Sequence, residues 1–211
     1  MKQAGRLFMT IVCFMLILQT SVCQDNIRKI RIGFISGFGS QQVFPYDDQD
    51  YNYSFSSYKV PVNYPLNKGL ISFEIQAEPS LFLSKHRLLN KYFVQPEYGP
   101  DYLLLREKYA EEKSITECSL NIGLQIRFKP HGKLSYFILG STGPMFINTE
   151  TERLARGFAF SDIIAFGIQY NLKNLTLEIR PGLRHASNLN FQFPNSGYNA
   201  VTIDVGISFI L

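Results

Sequence analysis

From Cys118 to Phe128 the chain alternates without a break. Cys118, Leu120, Ile122, Leu124, Ile126 and Phe128 fall on one parity, and Ser119, Asn121, Gly123, Gln125 and Arg127 on the other. A period of two places successive side chains on opposite faces of a β-strand. Three further stretches repeat the pattern. Ile71, Phe73, Ile75 and Ala77 alternate with Ser72, Glu74, Gln76 and Glu78. Leu175, Leu177, Ile179, Pro181 and Leu183 alternate with Thr176, Glu178, Arg180, Gly182 and Arg184. In the last stretch Asn199, Val201, Ile203, Val205, Ile207 and Phe209 alternate with Ala200, Thr202, Asp204, Gly206 and Ser208. A chain built this way folds as a sheet with one apolar and one polar face.

Two architectures use such a sheet. A soluble sandwich turns the apolar face to a core and the polar face to water. An outer-membrane barrel turns the apolar face to lipid and fills its lumen with the polar one. Runs of about ten residues or more exceed the usual globular strand of roughly five or six. The polar faces mix Gly, Ser, Thr and Ala with Glu and Arg, which suits a crowded small lumen. Short turns at Tyr64-Pro65-Leu66, Pro130-His131-Gly132 and Leu172-Lys173 alternate with longer loops near 39–54, 84–115, 148–157 and 188–197. That alternation is the pattern of periplasmic turns and external loops. The expected fold is therefore all-β, an eight-stranded antiparallel transmembrane β-barrel. Its strands are expected near 28–38, 55–63, 68–80, 116–129, 133–147, 158–171, 174–187 and 198–211. Pro61 weakens the second, and the loop 84–115 has room for a short helix near Leu103–Glu112. Glu74, Glu78, Glu178, Arg127, Arg180 and Arg184 are expected to form a salt network in the lumen.

The start of the chain fits a secretory route. Lys2 and Arg6 precede an apolar run from Leu7 to Leu18, and Ser21-Val22-Cys23 follows. This is the pattern of a cleaved signal peptide, and the run is short for a membrane helix. Val22 and Thr20 are poor context for a lipidated Cys23. The expected division is a signal peptide at 1–23 and a barrel domain at 24–211. Cleavage removes Cys13 and Cys23, so Cys118 remains without a disulfide partner and reads as a lipid-facing hydrophobe. It also takes Lys and Arg from 21 to 19 against 17 acids, leaving about +2. That balance gives no support to nucleic-acid binding.

One polar cluster breaks the apolar parity. His185 and Ser187 continue the face of Leu175 to Leu183, and Asn199 lies on the face of Val201 to Val205. All three should point toward lipid, near an external loop. Pro194, Asn195 and Gly197 turn the chain so that Asn199 returns beside His185. A base beside a hydroxyl, oriented by a third polar group, is the geometry of an activated nucleophile. The bland reading of the same positions is an interfacial girdle just outside the hydrocarbon. Asp162 shares the outward parity of Phe158, Phe160, Ile164 and Phe166, where a charge is costly. A Leu172-Lys173 turn would set it opposite Leu183 and diagonal to His185, within reach to orient the imidazole; the bland reading is a bulge or girdle position. His131 in a turn and His86 in the long loop have no metal-ligand companions at useful spacing, so neither a metal nor a cofactor is expected.

The His185-Ala186-Ser187-Asn188 run, with Pro194-Asn195, Gly197 and a residue fourteen positions after the His, resembles the C-terminal motif of the lipid A 3-O-deacylase (PagL) family. The motif covers about residues 180–211, and the strand pattern fits over most of the mature chain. The resemblance implies an outer-membrane esterase that removes an ester-linked acyl chain from lipid A of the outer leaflet, with lipopolysaccharide as its partner. By that likeness Ser187 is the nucleophile, His185 the base, Asn188 helps hold the oxyanion by side chain or backbone, and Asn195 shapes the site. The chain departs from the family at Asn199, where characterised members carry Glu. An amide orients a histidine but does not balance its charge, and an acid-to-amide change of this kind can cost several orders of magnitude in rate. A slow enzyme, an enzyme with a substitute acid such as Asp162, and a non-enzymatic barrel that binds a ligand all fit the sequence. A homodimer is compatible with it.

Overall fold

The structure is a computed structural model that describes residues 30–67 and 69–211. The signal peptide expected at 1–23 lies outside the described residues. Nine β-segments follow in order: β1 (Arg31–Ser40), β2 (Tyr51–Lys59), β3 (Val62–Pro65), β4 (Ile71–Leu88), β5 (Lys113–Phe128), β6 (Leu134–Ile147), β7 (Gly157–Leu172), β8 (Leu175–Ser187) and β9 (Tyr198–Ile210). Each pairs antiparallel with its neighbours, and β1 pairs with β9 along its whole length, so the sheet closes on itself. A closed sheet has no open edge, which is what a β-structure needs in lipid.

The nine segments make eight staves. β2 and β3 both lie between β1 and β4, as two halves of one strand interrupted at Val60-Pro61. Pro61 cannot donate to the ladder. Its carbonyl still accepts from Gly33 N at 2.9 Å, and Val60 N donates to Pro79 O at 3.0 Å. The weakness expected at Pro61 is thus a local break that pairing on both sides bridges.

The faces are inverted relative to a soluble protein. Phe34, Phe38, Leu120, Ile164, Phe166 and Val205 are exposed, whereas Arg180 and Arg184 lead the largest fully buried side chains. Inside, Arg180 pairs with Glu78 and Asp204, each at 2.9 Å, and Lys59 reaches Asp204 at 2.7 Å. Arg184 pairs with Glu117 at 2.6 Å and donates to Tyr53 Oη at 2.7 Å. Toward the periplasmic end Arg31 and Arg127 flank Glu74, and Gln169 donates to Glu178 at 2.7 Å. Packing every charge against its counter-charge is how a narrow lumen tolerates them. The soluble-sandwich alternative has no place for this arrangement.

The strands run further outward than the alternation suggested. The loop expected at 84–115 shrinks to 89–112, because β4 continues to Leu88 and β5 begins at Lys113. The reason is physical: above the hydrocarbon a strand keeps its ladder but no longer needs apolar residues outside. Lys85 and Arg87 therefore face water while Phe82, Ser84 and His86 face in. His86 is thus a lumenal strand residue and not a loop residue. It lies 3.1 Å from Glu152 and stacks on Tyr51 at 5.7 Å. The loop does carry a helix, α1 (Tyr102–Ala110), whose Tyr109 packs with Leu88 and Val94 over the outer end. Tyr98 in the same loop donates to Glu152 O at 2.7 Å. Burial, with nearby Glu152, pushes its hydroxyl up to about 12, so it stays a donor.

Candidate functional site at the outer rim of the barrel

The site begins with strand parity. On β8, Arg184 and Ala186 point into the lumen and are buried, which turns His185 and Ser187 outward together. β9 then sets Asn199 directly across from His185. The facing side chains bond, with His185 Nδ1 2.8 Å from Asn199 Oδ1. An amide oxygen only accepts, so Nδ1 carries the proton and Nε2 keeps its lone pair. That is the tautomer a general base needs. Tyr51 supports Asn199 from the lumen side, its hydroxyl accepting from Asn199 N at 3.3 Å.

Gly197 closes this arrangement from above. A Cβ built there would lie 3.1 Å from His185 Cε1, 3.5 Å from the Ser187 Cβ and 2.6 Å from Ala186 O. The ring and the serine stem therefore border one point. The residue also has φ +70°, which favours glycine. We expect Gly197→Ala to leave the barrel folded but to lower activity at least about tenfold, by strain and by displacing His185. Heat-modifiable gel migration checks the fold and turnover checks the site; wild-type turnover in this variant would contradict the packing described.

The loop 188–197 is held by its own amides. Asn188 N donates to Asn195 Oδ1 at 2.6 Å, and Asn188 Nδ2 donates to Gln192 O at 2.9 Å and Pro194 O at 3.4 Å. Asn188 is fully buried, and its donors serve the loop. Asn195 Nδ2 donates to Asn190 Oδ1 at 3.0 Å. Because its Oδ1 is fixed on the peptide that follows Ser187, the Asn195 amide is anchored next to the serine.

Sequence reasoning missed the neighbouring loop 148–156. Gly197 N donates to Arg153 O at 2.9 Å, Arg153 Nε donates to Gly197 O at 2.8 Å, and Ala155 N donates to Pro194 O at 3.0 Å. Arg153 also lies over the Tyr51 ring at 4.1 Å. Neither spacing nor composition marks these residues, which meet the site across some forty positions of chain. Within the loop 188–197, Leu189, Phe191 and Phe193 are exposed, and the Phe191 ring lies 6.4 Å from that of Phe160 on β7. Ser187 stands opposite Phe160 in the strand register and is 8% exposed.

The register also moves Asp162. The turn after β7 is Lys173-Asn174, with Leu172 opposite Leu175. The expected Leu172-Lys173 turn is off by one residue on each strand, so Phe160 lies opposite Ser187 and Asp162 directly opposite His185, not diagonal to it. Asp162 is half-buried and accepts from Thr142 Oγ1 at 2.5 Å. Cys118 is exposed on the outer face, and His131 is in a turn. No group of three or more metal-ligating side chains occurs among the described residues.

A closed barrel with an apolar exterior, a charged lumen and outward-facing polar groups at its external rim is an outer-membrane β-barrel. The crystal structure of the outer membrane enzyme PagL superposes with a TM-score of 0.52 at 11% identity, over 83% of this chain and 97% of that one. Neisserial surface protein A follows at 0.48 and 7% identity, over 86% and 97%. The Yersinia pestis outer membrane protein Ail follows at 0.39 and 12%, over 86% and 99%. No curated protein sequence matches at a significant level. The model of the lipid A 3-O-deacylase (PagL) family matches residues 100–208, and the chain belongs to that family. It is accordingly an outer-membrane protein of a lipid A deacylase family.

Proposed function

We propose that the protein removes an ester-linked acyl chain, at the 3 position of lipid A, through Ser187 and His185. Ser187 Oγ attacks the ester carbonyl while His185 Nε2 takes the hydroxyl proton. The ester C–O bond then breaks, and the proton passes from the imidazolium to the departing sugar oxygen. An acyl-serine remains. Water, deprotonated by the same imidazole, attacks it and releases the fatty acid and the free serine. Asn195, anchored beside the serine with one amide hydrogen free of the Asn190 contact, is the donor best placed for the oxyanion. Asn188 supports this role by holding Asn195 and the loop. The observation that carries the reading is the outward His185–Asn199 hydrogen bond with Ser187 on the same face, opposite Phe160.

The uncharged Asn199 favours a second reading, a barrel that holds a lipid or another ligand without cleaving it. Mass spectrometry of lipid A from cells expressing the protein separates the two. The expected result is loss of one hydroxyacyl or acyl mass from lipid A with wild type and not with Ser187→Ala. An unchanged acyl pattern at verified surface expression would sink the enzymatic reading.

A further inference from the structure

A row of polar side chains crosses the outer face of the barrel. Thr142 on β6 pairs with Asp162 on β7, Asp162 with His185 on β8, and His185 with Asn199 on β9. All four point away from the lumen; the row above them is Pro144, Phe160 and Ser187, and the row below is Gly140, Ile164 and Leu183. His185 therefore sits between two polar neighbours of different kinds. Asn199 bonds its Nδ1 and brings no charge. Asp162 brings a charge, with one carboxylate oxygen fixed by Thr142 at 2.5 Å and no ion pair to the imidazole among the described residues.

We propose that Asp162 is the positioning residue that supplies the counter-charge to His185, while Asn199 supplies only its orientation. The inference rests on the Ser187–His185 reading above. A base that takes the serine proton becomes an imidazolium, and a site at the edge of lipid stabilises that charge poorly without a partner. Directly opposed residues on neighbouring strands have Cβ atoms about 4.5–5.5 Å apart. At that separation a carboxylate need not touch the ring to act on it. Thr142 keeps the carboxylate in the row and satisfies one oxygen, which answers why a charge persists on this face.

The other groups around His185 do not supply this charge. On its own strand it has Leu183 and Ser187, on β9 Asn199, and from the loop Gly197. Arg153, paired with Asp48 at 3.6 Å, stands behind Gly197, and Arg184 is turned inward onto Glu117. Asp162 is the one carboxylate that the strand register sets beside the ring.

The test uses the purified, refolded barrel in detergent and a long-chain alkyl fluorophosphonate, which an activated serine attacks with loss of fluoride. Labelling at Ser187 is followed by mass spectrometry across pH in wild type, Asp162→Asn, Asn199→Glu and the double variant. We expect Asp162→Asn to slow labelling about tenfold to a hundredfold. Its acid limb should move to lower pH, because an imidazolium without its counter-charge loses its proton sooner. Asn199→Glu restores the charge from the other side without restoring the Thr142 contact, so the double variant should recover to within about threefold of wild type. An Asp162→Asn rate within about twofold of wild type overturns the proposal. So does a slowed variant whose pH limb is unmoved and which Asn199→Glu does not rescue, since that outcome marks a structural role. Absence of Ser187 labelling in wild type overturns both this inference and the nucleophile assignment. Labelling with the expected pattern, but no acyl release from lipid A, supports this inference and overturns only the substrate.

Discussion

Ser187→Ala is expected to lower acyl release from lipid A by about a thousandfold or more, with the barrel intact. Among the described residues the serine oxygen is the only hydroxyl that strand parity places beside His185 on the outer face, and the substitution removes the atom proposed to form the acyl bond. On that proposal, what survives is the contribution of positioning and of the proposed oxyanion donor Asn195, which by themselves give modest acceleration. The fold should not suffer. Ser187 is the last residue of β8, and no hydrogen bond from its hydroxyl helps close the barrel among the described residues. Release of fatty acid from lipid A micelles, compared at equal amounts of heat-modifiable protein, measures the effect. A variant that retains a tenth of wild-type activity or more would remove Ser187 from the chemistry.

Arg180→Leu should produce the largest loss of stability. The Arg180 guanidinium is fully buried and bonds four times, with Nη1 and Nη2 on Glu78 at 2.9 and 3.1 Å and Nε and Nη2 on Asp204 at 3.0 and 2.9 Å. Lys59 would still hold Asp204. Glu78 would keep only the Gln76 amide at 3.3 Å. A buried carboxylate left in that state costs about 3–5 kcal/mol. Arg180→Lys is not a mild substitute, because a single ammonium does not span the two carboxylates. Pairing Arg180→Leu with Glu78→Gln should recover part of the loss, since the orphaned charge is then gone. The chain contains no Trp, so urea unfolding is best followed by far-ultraviolet circular dichroism together with heat-modifiable migration. A loss under about 1 kcal/mol would show that water or a shifted Lys59 replaces the guanidinium at little cost.

Both predictions depend on a property that was legible before any coordinates. Alternation in residues 118–128, 175–183 and 199–209 fixed which side chains face lipid and which face the lumen. A strand has only two faces, so parity propagates along it without tertiary information. For that reason the outward direction of His185, Ser187, Asn199 and Asp162, and the inward direction of Arg180, Arg184 and Glu78, could be read from the chain. The Pro61 interruption and the helix in the long outer loop were legible for local reasons of the same kind.

What lay between strands was not. The register of β7 against β8 turned on whether the hairpin ends at Leu172-Lys173 or Lys173-Asn174, and a shift of one residue per strand moved Asp162 from a diagonal position to one directly facing His185. Local preferences for a two-residue turn do not separate those choices; the summed pairing of two long strands does. The anchoring of Gly197 and Pro194 by Arg153 and Ala155, and the burial of His86 against Glu152, come from segments that closure of the barrel brings together. Their contacts leave no periodic trace. The sequence by itself determined the faces, because side-chain direction repeats every two residues. The tertiary structure decided the neighbours, because those depend on how all eight staves settle against one another.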